Sequence, residues 1–98
     1  MKFSDLNPHF VADKATLPTA DGAGGVMFRC PCGEHDTLIP FSNPLNGVQL
    51  PGYGIGWERS GTTAADLTLA PSIRTMGGPA PHTECAHYYV RNGEIVRC

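Results

Sequence analysis

Charged residues are scarce in this sequence, and neither sign dominates. Seven Lys or Arg residues and nine Asp or Glu residues give a formal net charge of -2, and charged residues make up only 16% of the 98 positions. No segment concentrates Lys or Arg, so the chain lacks the basic face that binds nucleic-acid phosphates. We therefore expect no nucleic-acid partner.

Long hydrophobic runs are also missing. No segment approaches the roughly 20 apolar residues of a membrane-spanning helix, and the first residues lack the apolar core of a signal peptide. We therefore expect a cytoplasmic protein without membrane contact. Because structural disulfides are disfavoured in that reducing compartment, the four cysteines are expected to be metal ligands or catalytic groups.

Uninterrupted helix-forming segments are few, because the chain contains twelve glycines and nine prolines. Its 41% content of hydrophobic residues is nevertheless typical of a globular protein. We predict a mainly β fold with little helix: a small antiparallel β-sheet or sandwich with long Gly/Pro loops. Residues 1–98 are expected to form a single zinc-stabilised domain, in which residues 1–24 are an N-terminal arm without regular strands. A metal would compensate for the small hydrophobic core of so short a chain.

Four β-forming runs precede the last segment of the chain. They predict strands at 25–30, 37–41, 55–59 and 65–70, each bounded by Gly, Pro or polar residues. Pro40 cannot donate a ladder hydrogen bond, which favours an edge position for the second of these strands. Trp57 is the expected core anchor of the third. The stretch from Pro71 to His82 is predicted to be a long loop, and loops of this length are usually functional or disordered.

The end of the chain has the clearest local pattern. The dipeptide Asn92-Gly93 is favoured in two-residue type I′ turns, and it joins two β-forming runs, 86–91 and 94–97. Counting outward from the turn places His87 opposite Cys98. Because side chains alternate along a strand, one face of the hairpin is expected to carry three candidate ligands, Cys85, His87 and Cys98.

The cysteines are predicted to bind one structural zinc ion. Cys30 and Cys32 flank Pro31 on a tight turn, the kind of two-ligand turn that tetrahedral zinc sites use. The preferred ligand set is all four cysteines: Cys30, Cys32, Cys85 and Cys98. This set leaves His87 available as a general base, whereas in the alternative set His87 binds the metal in place of Cys98.

Other interpretations of these residues remain open at this point. The cysteines could be ordinary buried thiols or iron–sulfur ligands, although zinc is the commoner partner in small structural sites. His35 follows the cysteine turn closely, and we interpret it as a surface residue in preference to a substitute ligand.

Several segments together resemble a known family. They are the run Phe28 to Gly33, Trp57, the run Leu67 to Ile73, Cys85, the run His87 to Gly93, and Cys98. Over about the last three quarters of the chain, this pattern is similar to a family of small zinc-binding proteins found in bacteriophages and beside bacterial ubiquitin-like conjugation operons. The resemblance implies a zinc-stabilised peptidase that acts on ubiquitin-like proteins with a serine nucleophile.

Carried onto this chain, the resemblance makes Ser72 the candidate nucleophile and His87 the candidate general base. A serine hydroxyl needs such a base, and the base usually needs a third group to orient it. The candidates for that third group are Glu84, Asp66 and His82. Backbone N–H groups of Gly77-Gly78 are candidates for stabilising an oxyanion. The expected partner is a protein substrate, on the resemblance a ubiquitin-like one.

Two alternative functions fit the residues as well. The chain could be a non-catalytic zinc-binding module that mediates a protein interaction in a bacteriophage or in antiphage defence, in which case Ser72 would only satisfy a turn backbone. It could also be a zinc-dependent hydrolase with a metal-bound water and Glu84 or Glu34 as base. Thiolate-rich zinc sites are usually closed and structural, which disfavours the second alternative.

Overall fold

Two four-stranded antiparallel sheets make up the fold in the computed structural model. The structure describes residues 1–52, 56–76 and 84–98, and at positions 76, 84 and 85 it describes the backbone only. A short 3₁₀ helix, Phe3–Leu6, precedes the strands. The first sheet has the order β2-β1-β3-β4. Its strands are β1 (His9–Ala12), β2 (Ala15–Leu17), β3 (Gly25–Arg29) and β4 (Asp36–Pro40).

The second sheet has the order β5-β6-β7-β8. Its strands are β5 (Glu58–Ser60), β6 (Thr68–Met76), β7 (Glu84–Arg91) and β8 (Glu94–Arg97). The prediction of a mainly β fold with antiparallel sheets is confirmed. In the described part of the chain, no helix has the length and apolar content needed to cross a membrane.

The two sheets bury their apolar faces in one shared core, as in a β-sandwich. The ring of Phe28 on β3 meets the ring of Tyr88 on β7 edge to face, with centroids 6.4 Å apart. The ring of Phe3 also packs edge to face against Phe28, with ring centroids 4.9 Å apart. All three aromatic side chains are almost completely excluded from solvent. Large rings of this kind dominate the burial energy of a small core, at roughly 1.5–3 kcal/mol for each fully buried side chain.

Two short strands lie within the segment that the sequence predicts to be an N-terminal arm: β1 and β2 of the first sheet, within residues 9–17. β1 pairs with β3, placing Phe10 opposite Val26. β1 is only four residues long and β2 only three. Runs of that length show little alternation, so their state is decided by pairing with the longer β3 rather than by local propensity.

The middle of the chain agrees with the predictions in part. β3 and β4 occupy the first two predicted strands and pair with each other, and β4 is an edge strand that ends at Pro40. The third predicted strand begins later than expected, at Glu58, and Trp57 packs at the margin of the core, partly buried. Residue 55, where that predicted strand starts, lies outside the described residues.

The fourth predicted strand continues well beyond its expected end. Pro71 suggested the start of a loop, because it cannot donate a ladder hydrogen bond. The structure instead continues β6 through Pro71 to Met76. An irregularity between Leu69 and Ile73 allows this, because the extra residues there need not pair with β7. The rest of the predicted loop, 77–82, lies outside the described residues.

The final hairpin has the predicted register. Val90 is opposite Ile95, and Tyr89 is opposite Val96. Asn92 and Gly93 have φ values of 47° and 77°, the positive values that a type I′ turn requires.

The first residues of the chain lie along β8. The N–H of Ile95 donates to the carbonyl of Met1 at 2.8 Å, and the N–H of Phe3 donates to the carbonyl of Gly93 at 2.8 Å. Lys2 and Glu94 form the antiparallel bridge between these two bonds. The start of the chain therefore supplies hydrogen-bond partners to the outer edge of the second sheet.

Replacing Gly93 should destabilise the hairpin more than a positive φ alone explains. An added Cβ at Gly93 would overlap the carbonyl of Ala65, whereas one at Gly52, with φ of 82°, would meet nothing within 4 Å. We expect Gly52→Ala to lower the free energy of unfolding by about 1 kcal/mol and Gly93→Ala by at least about 3 kcal/mol. Urea unfolding of the two variants measures the difference, and equal losses would show that the turn can move away from Ala65.

Candidate active site and metal centre

Ser72 and His87 are in direct contact on the outer face of the second sheet. The Ser72 Oγ lies 3.0 Å from the His87 Nε2. Tyr88 and Ala86, on either side of His87 in β7, are buried in the core, so strand alternation places His87 on the opposite face. Both members of the pair are half-buried. The structure therefore brings together the two residues that were predicted as nucleophile and base.

The irregular part of β6 determines where Ser72 lies. Between its pairs with Val90 and Tyr88, β6 has three residues where β7 has only Tyr89. Extra residues of this kind bend a strand and change the direction of its side chains. The indole Nε1 of Trp57 donates to the Ser72 carbonyl oxygen at 3.4 Å and holds the backbone at this point.

The contact has the geometry of an activated nucleophile. A serine hydroxyl is activated by a base about 2.6–3.2 Å away, and Nε2 can accept the Oγ proton when the imidazole carries its own proton on Nδ1. The backbone of His87 is held by β8, because the N–H of Cys98 donates to the His87 carbonyl at 3.0 Å. The pair can therefore carry out a base-assisted nucleophilic attack.

Asp66, one candidate for the third catalytic group, has its carboxylate engaged in a turn. Its Oδ1 accepts hydrogen bonds from the Thr62 N–H at 3.0 Å, the Thr63 N–H at 2.7 Å and the Thr63 hydroxyl at 2.9 Å. The hydrogen bonds from Thr63 and Thr62 lower the pKa of the Asp66 carboxyl below its ordinary value of 3.8. The other candidates, His82 and the Glu84 side chain, and the Gly77-Gly78 backbone, lie outside what the structure describes.

A second group of reactive side chains lies at the turn between β3 and β4. The ligand atoms of Cys30, Cys32 and His35 all lie within 4.8 Å of one another, and the Cys32 Sγ is 3.8 Å from the His35 Nδ1. The turn is closed by the Cys30 N–H, which donates to the His35 carbonyl at 2.8 Å. Gly33 makes the reversal possible with φ of 83°. This cluster could hold a metal ion.

His35 is the residue that the sequence interpretation ranked too low. It was interpreted as a surface residue, but it is half-buried and directed at the two sulfurs. Its position three residues after Cys32 could have indicated this, because a tight turn of that length brings the His35 side chain back to the Cys32 sulfur. Two thiols and one imidazole are a donor set typical of zinc.

Cys98 and Cys85 occupy different places relative to this cluster. Cys98 is exposed and lies opposite His87, and within the described residues it is not part of the metal-ligating group. Cys85 precedes Ala86, which pairs with Thr75, and the Thr75 Oγ1 is 3.3 Å from the Cys30 Sγ. The backbone of Cys85 is therefore adjacent to the strand position that contacts the cluster.

The surroundings of Cys30 fit a negatively charged, metal-bound sulfur. Thr75 is in hydrogen-bonding contact with it, and the buried Tyr88 hydroxyl has no hydrogen-bond partner among the described residues. Burial, and secondarily the charge of Cys30, raise the pKa of Tyr88 far above its ordinary value, so the hydroxyl keeps its proton.

Comparison with known protein families agrees with this geometry. The model of the family described as "Bacterial ubiquitination-like system serine protease (BubE)" matches residues 3–98. The chain belongs to the BubE family. No curated protein and no solved structure matches it.

The BubE match confirms the resemblance found in the sequence and extends it. It begins at residue 3, so it includes the N-terminal strands that the quoted motifs leave out. The family description names a serine protease, and Ser72 is hydrogen-bonded to a histidine. It also places the BubE family in a ubiquitination-like system, which gives the context for a protein partner.

Removing the Asp66 carboxylate should affect stability rather than chemistry. Because its pKa is lowered in the folded state, the carboxylate stabilises the fold above pH 3.8, and this contribution is lost as the pH falls through the lowered folded-state pKa. We expect Asp66→Ala to unfold at lower urea concentration than wild type at pH 7, and the difference between the two to narrow as the pH falls below 3.8. A large loss of kcat at unchanged stability would instead place Asp66 in the catalytic machinery.

Proposed function

We propose that the chain is a serine peptidase or isopeptidase that cuts at the C-terminus of a ubiquitin-like protein in the cytoplasm. Ser72 is the nucleophile and His87 the general base. The observation that carries this proposal is the 3.0 Å contact between the Ser72 Oγ and the His87 Nε2. The description of the BubE family supports the reaction class and the context.

The reaction follows the acyl-transfer sequence that a Ser–His pair supports. The Ser72 Oγ attacks the carbonyl carbon of the scissile amide, and its proton passes to the His87 Nε2. The C–N bond then breaks as the imidazolium returns this proton to the leaving amine, which leaves an acyl-enzyme. A water that loses a proton to His87 then attacks the acyl carbon, and the ester bond to the Ser72 Oγ breaks as His87 returns that proton to the Oγ. This releases the acyl group as a carboxylic acid.

Ser72 and His87 lie on the adjacent strands β6 and β7, which suits a catalytic role. A catalytic geometry must be held to within a fraction of an ångström, and strands are more rigid supports than loops. The Trp57 indole holds the Ser72 carbonyl, and the Cys98 N–H holds the His87 carbonyl. These two contacts support the backbone on both sides of the reacting atoms.

The metal in this proposal is a structural zinc ion. Its ligands are Cys30, Cys32, His35 and, as the fourth, Cys85 on the strand next to Thr75. This set replaces Cys98 of the sequence prediction by His35, because His35 lies in the cluster and Cys98 faces His87. A closed site with four protein ligands has no position for a reacting water, so it would stabilise the fold and leave His87 to the serine.

The nucleophile can be tested with a ubiquitin-like protein carrying a C-terminal extension. Ser72→Ala and His87→Gln should each reduce the cleavage rate by at least about a thousandfold, and the double variant should be no slower, because the pair acts as a unit. Ser60→Ala, an exposed serine on β5 of the same sheet, is the matched control and should cleave normally.

Other outcomes of this experiment identify the competing functions. Normal cleavage by Ser72→Ala, together with loss of activity on chelation without unfolding, would indicate a metal-bound water as nucleophile. A wild-type chain that binds the ubiquitin-like protein tightly without cutting it would indicate an interaction module.

The metal assignment can be tested on reduced protein by measuring bound zinc per chain. We expect one zinc per wild-type chain, loss of nearly all of it in Cys30→Ser, and a drop in melting temperature with it. His35→Gln should weaken zinc binding by at least about tenfold. Cys98→Ser is the control and should keep its zinc; loss of zinc in that variant would restore the all-cysteine site.

A further inference from the structure

Arg74 is a charged residue beside the Ser72–His87 pair. It lies on β6 directly opposite His87, and its side chain is exposed. Directly opposite residues share a face, with Cβ atoms about 4.5–5.5 Å apart. His87 contacts Ser72 on that face, so Arg74, His87 and Ser72 all project from the same side of the sheet.

An apolar surface lies on the other side of the reacting pair. Tyr89 follows His87 by two residues on β7, and Val96 is its partner on β8. Val96 is 39% exposed, and the Arg91 guanidinium lies 4.1 Å above the Tyr89 ring. A substrate that crosses the Ser72–His87 contact therefore meets Tyr89 and Val96, with the Arg91 guanidinium above the Tyr89 ring, on one side. On the other side it meets Arg74.

From this juxtaposition we infer that Arg74 binds a carboxylate of the substrate within about two residues of the scissile bond. The inference rests on the proposed serine peptidase function and deepens it, because it defines the substrate class. The carboxylate can be the free C-terminus of a short extension or the side chain of a neighbouring Asp or Glu.

The chemistry of arginine supports this assignment. A guanidinium has five N–H donors in a planar fork that matches a carboxylate, so contacts to the protein leave further donors for a ligand. In a chain of net charge -2, a cation beside the reacting atoms favours an anionic substrate group at that place.

The first test compares cleavage of tails that differ only in their charge. A ubiquitin-like protein is given extensions of one, two or four residues beyond the scissile bond, each ending in a free acid or an amide, with Asp or Asn next to the bond. For the one- and two-residue tails we expect the acid to be cut about tenfold more efficiently than the amide, mainly through KM, since a charge-assisted hydrogen bond is lost in the amide. The Asp and Asn arms show whether a side chain serves as well.

Arg74→Gln should abolish this preference, and Arg74→Lys should restore only part of it, because lysine lacks the fork. Arg97→Gln is the matched control: it removes the same charge from a residue opposite Tyr88, on the other face of the sheet, and should keep the preference. Equal cleavage of charged and neutral tails by wild type would overturn the inference while leaving the serine peptidase intact. Equal losses of kcat for acid and amide in Arg74→Gln would also overturn it, because Arg74 would then act on the transition state.

A binding measurement tests the same inference without any cleavage. Ser72→Ala protein is titrated with N-acetyl-glycylglycine as free acid and as amide, and the Arg74 side-chain N–H signal is followed by NMR. We expect that signal to shift with the acid and to stay unchanged with the amide. An unchanged signal with both would overturn the inference even if no substrate is cut, and a missing Ser72-dependent cleavage would by itself count only against the proposed function.

Discussion

The burial of Tyr88 against Phe28 is the contact on which the rest of the structure depends. It joins the two sheets at the centre of the core, and it fixes which face of β7 points inward. With Tyr88 inside, strand alternation puts His87 outside, where it meets Ser72. The same burial places the phenol where the charge of Cys30 acts on its pKa. One aromatic side chain thus connects the core, the face that carries Ser72 and His87, and the turn that carries Cys30, Cys32 and His35.

β6 connects the two reactive groups of the molecule. Ser72 contacts His87 on the outer face, and three residues later Thr75 contacts the Cys30 sulfur on the inner side. A movement of the cysteine turn would therefore reach Ser72 through a single strand. In the proposed function, this connection is how a structural zinc ion supports catalysis without touching the substrate.

The sequence predicted the parts of the molecule that depend on local chemistry. Asn92-Gly93 determined the hairpin register, because only a few residue types accept two consecutive positive φ values. Ser72 and His87 were predicted as a pair from the family resemblance, and no spacing in the sequence indicated their contact. No local pattern shows that β6 continues past Pro71, because that depends on an irregularity in its pairing with β7.

The features that the sequence did not indicate have a common physical origin in contacts between distant residues. The strands in residues 9–17 exist because β3 offers them a partner, and their own propensity is weak. His35 was undervalued because a lone histidine in a polar turn is usually solvated, whereas here the turn closes through the Cys30 N–H and the His35 carbonyl. Cys98 was favoured as a ligand because the hairpin register places it opposite His87. The structure has that register, but the described metal-ligating cluster consists of Cys30, Cys32 and His35.

The pairing of the first residues with β8 has a consequence for association between chains. An edge strand with unpaired backbone groups is a template on which another extended chain can add, and this is a common origin of aggregation. Met1 to Phe3 occupy the hydrogen-bonding groups of Ile95 and Gly93. The beginning of the chain therefore protects this part of the sheet edge against the addition of a strand from another chain.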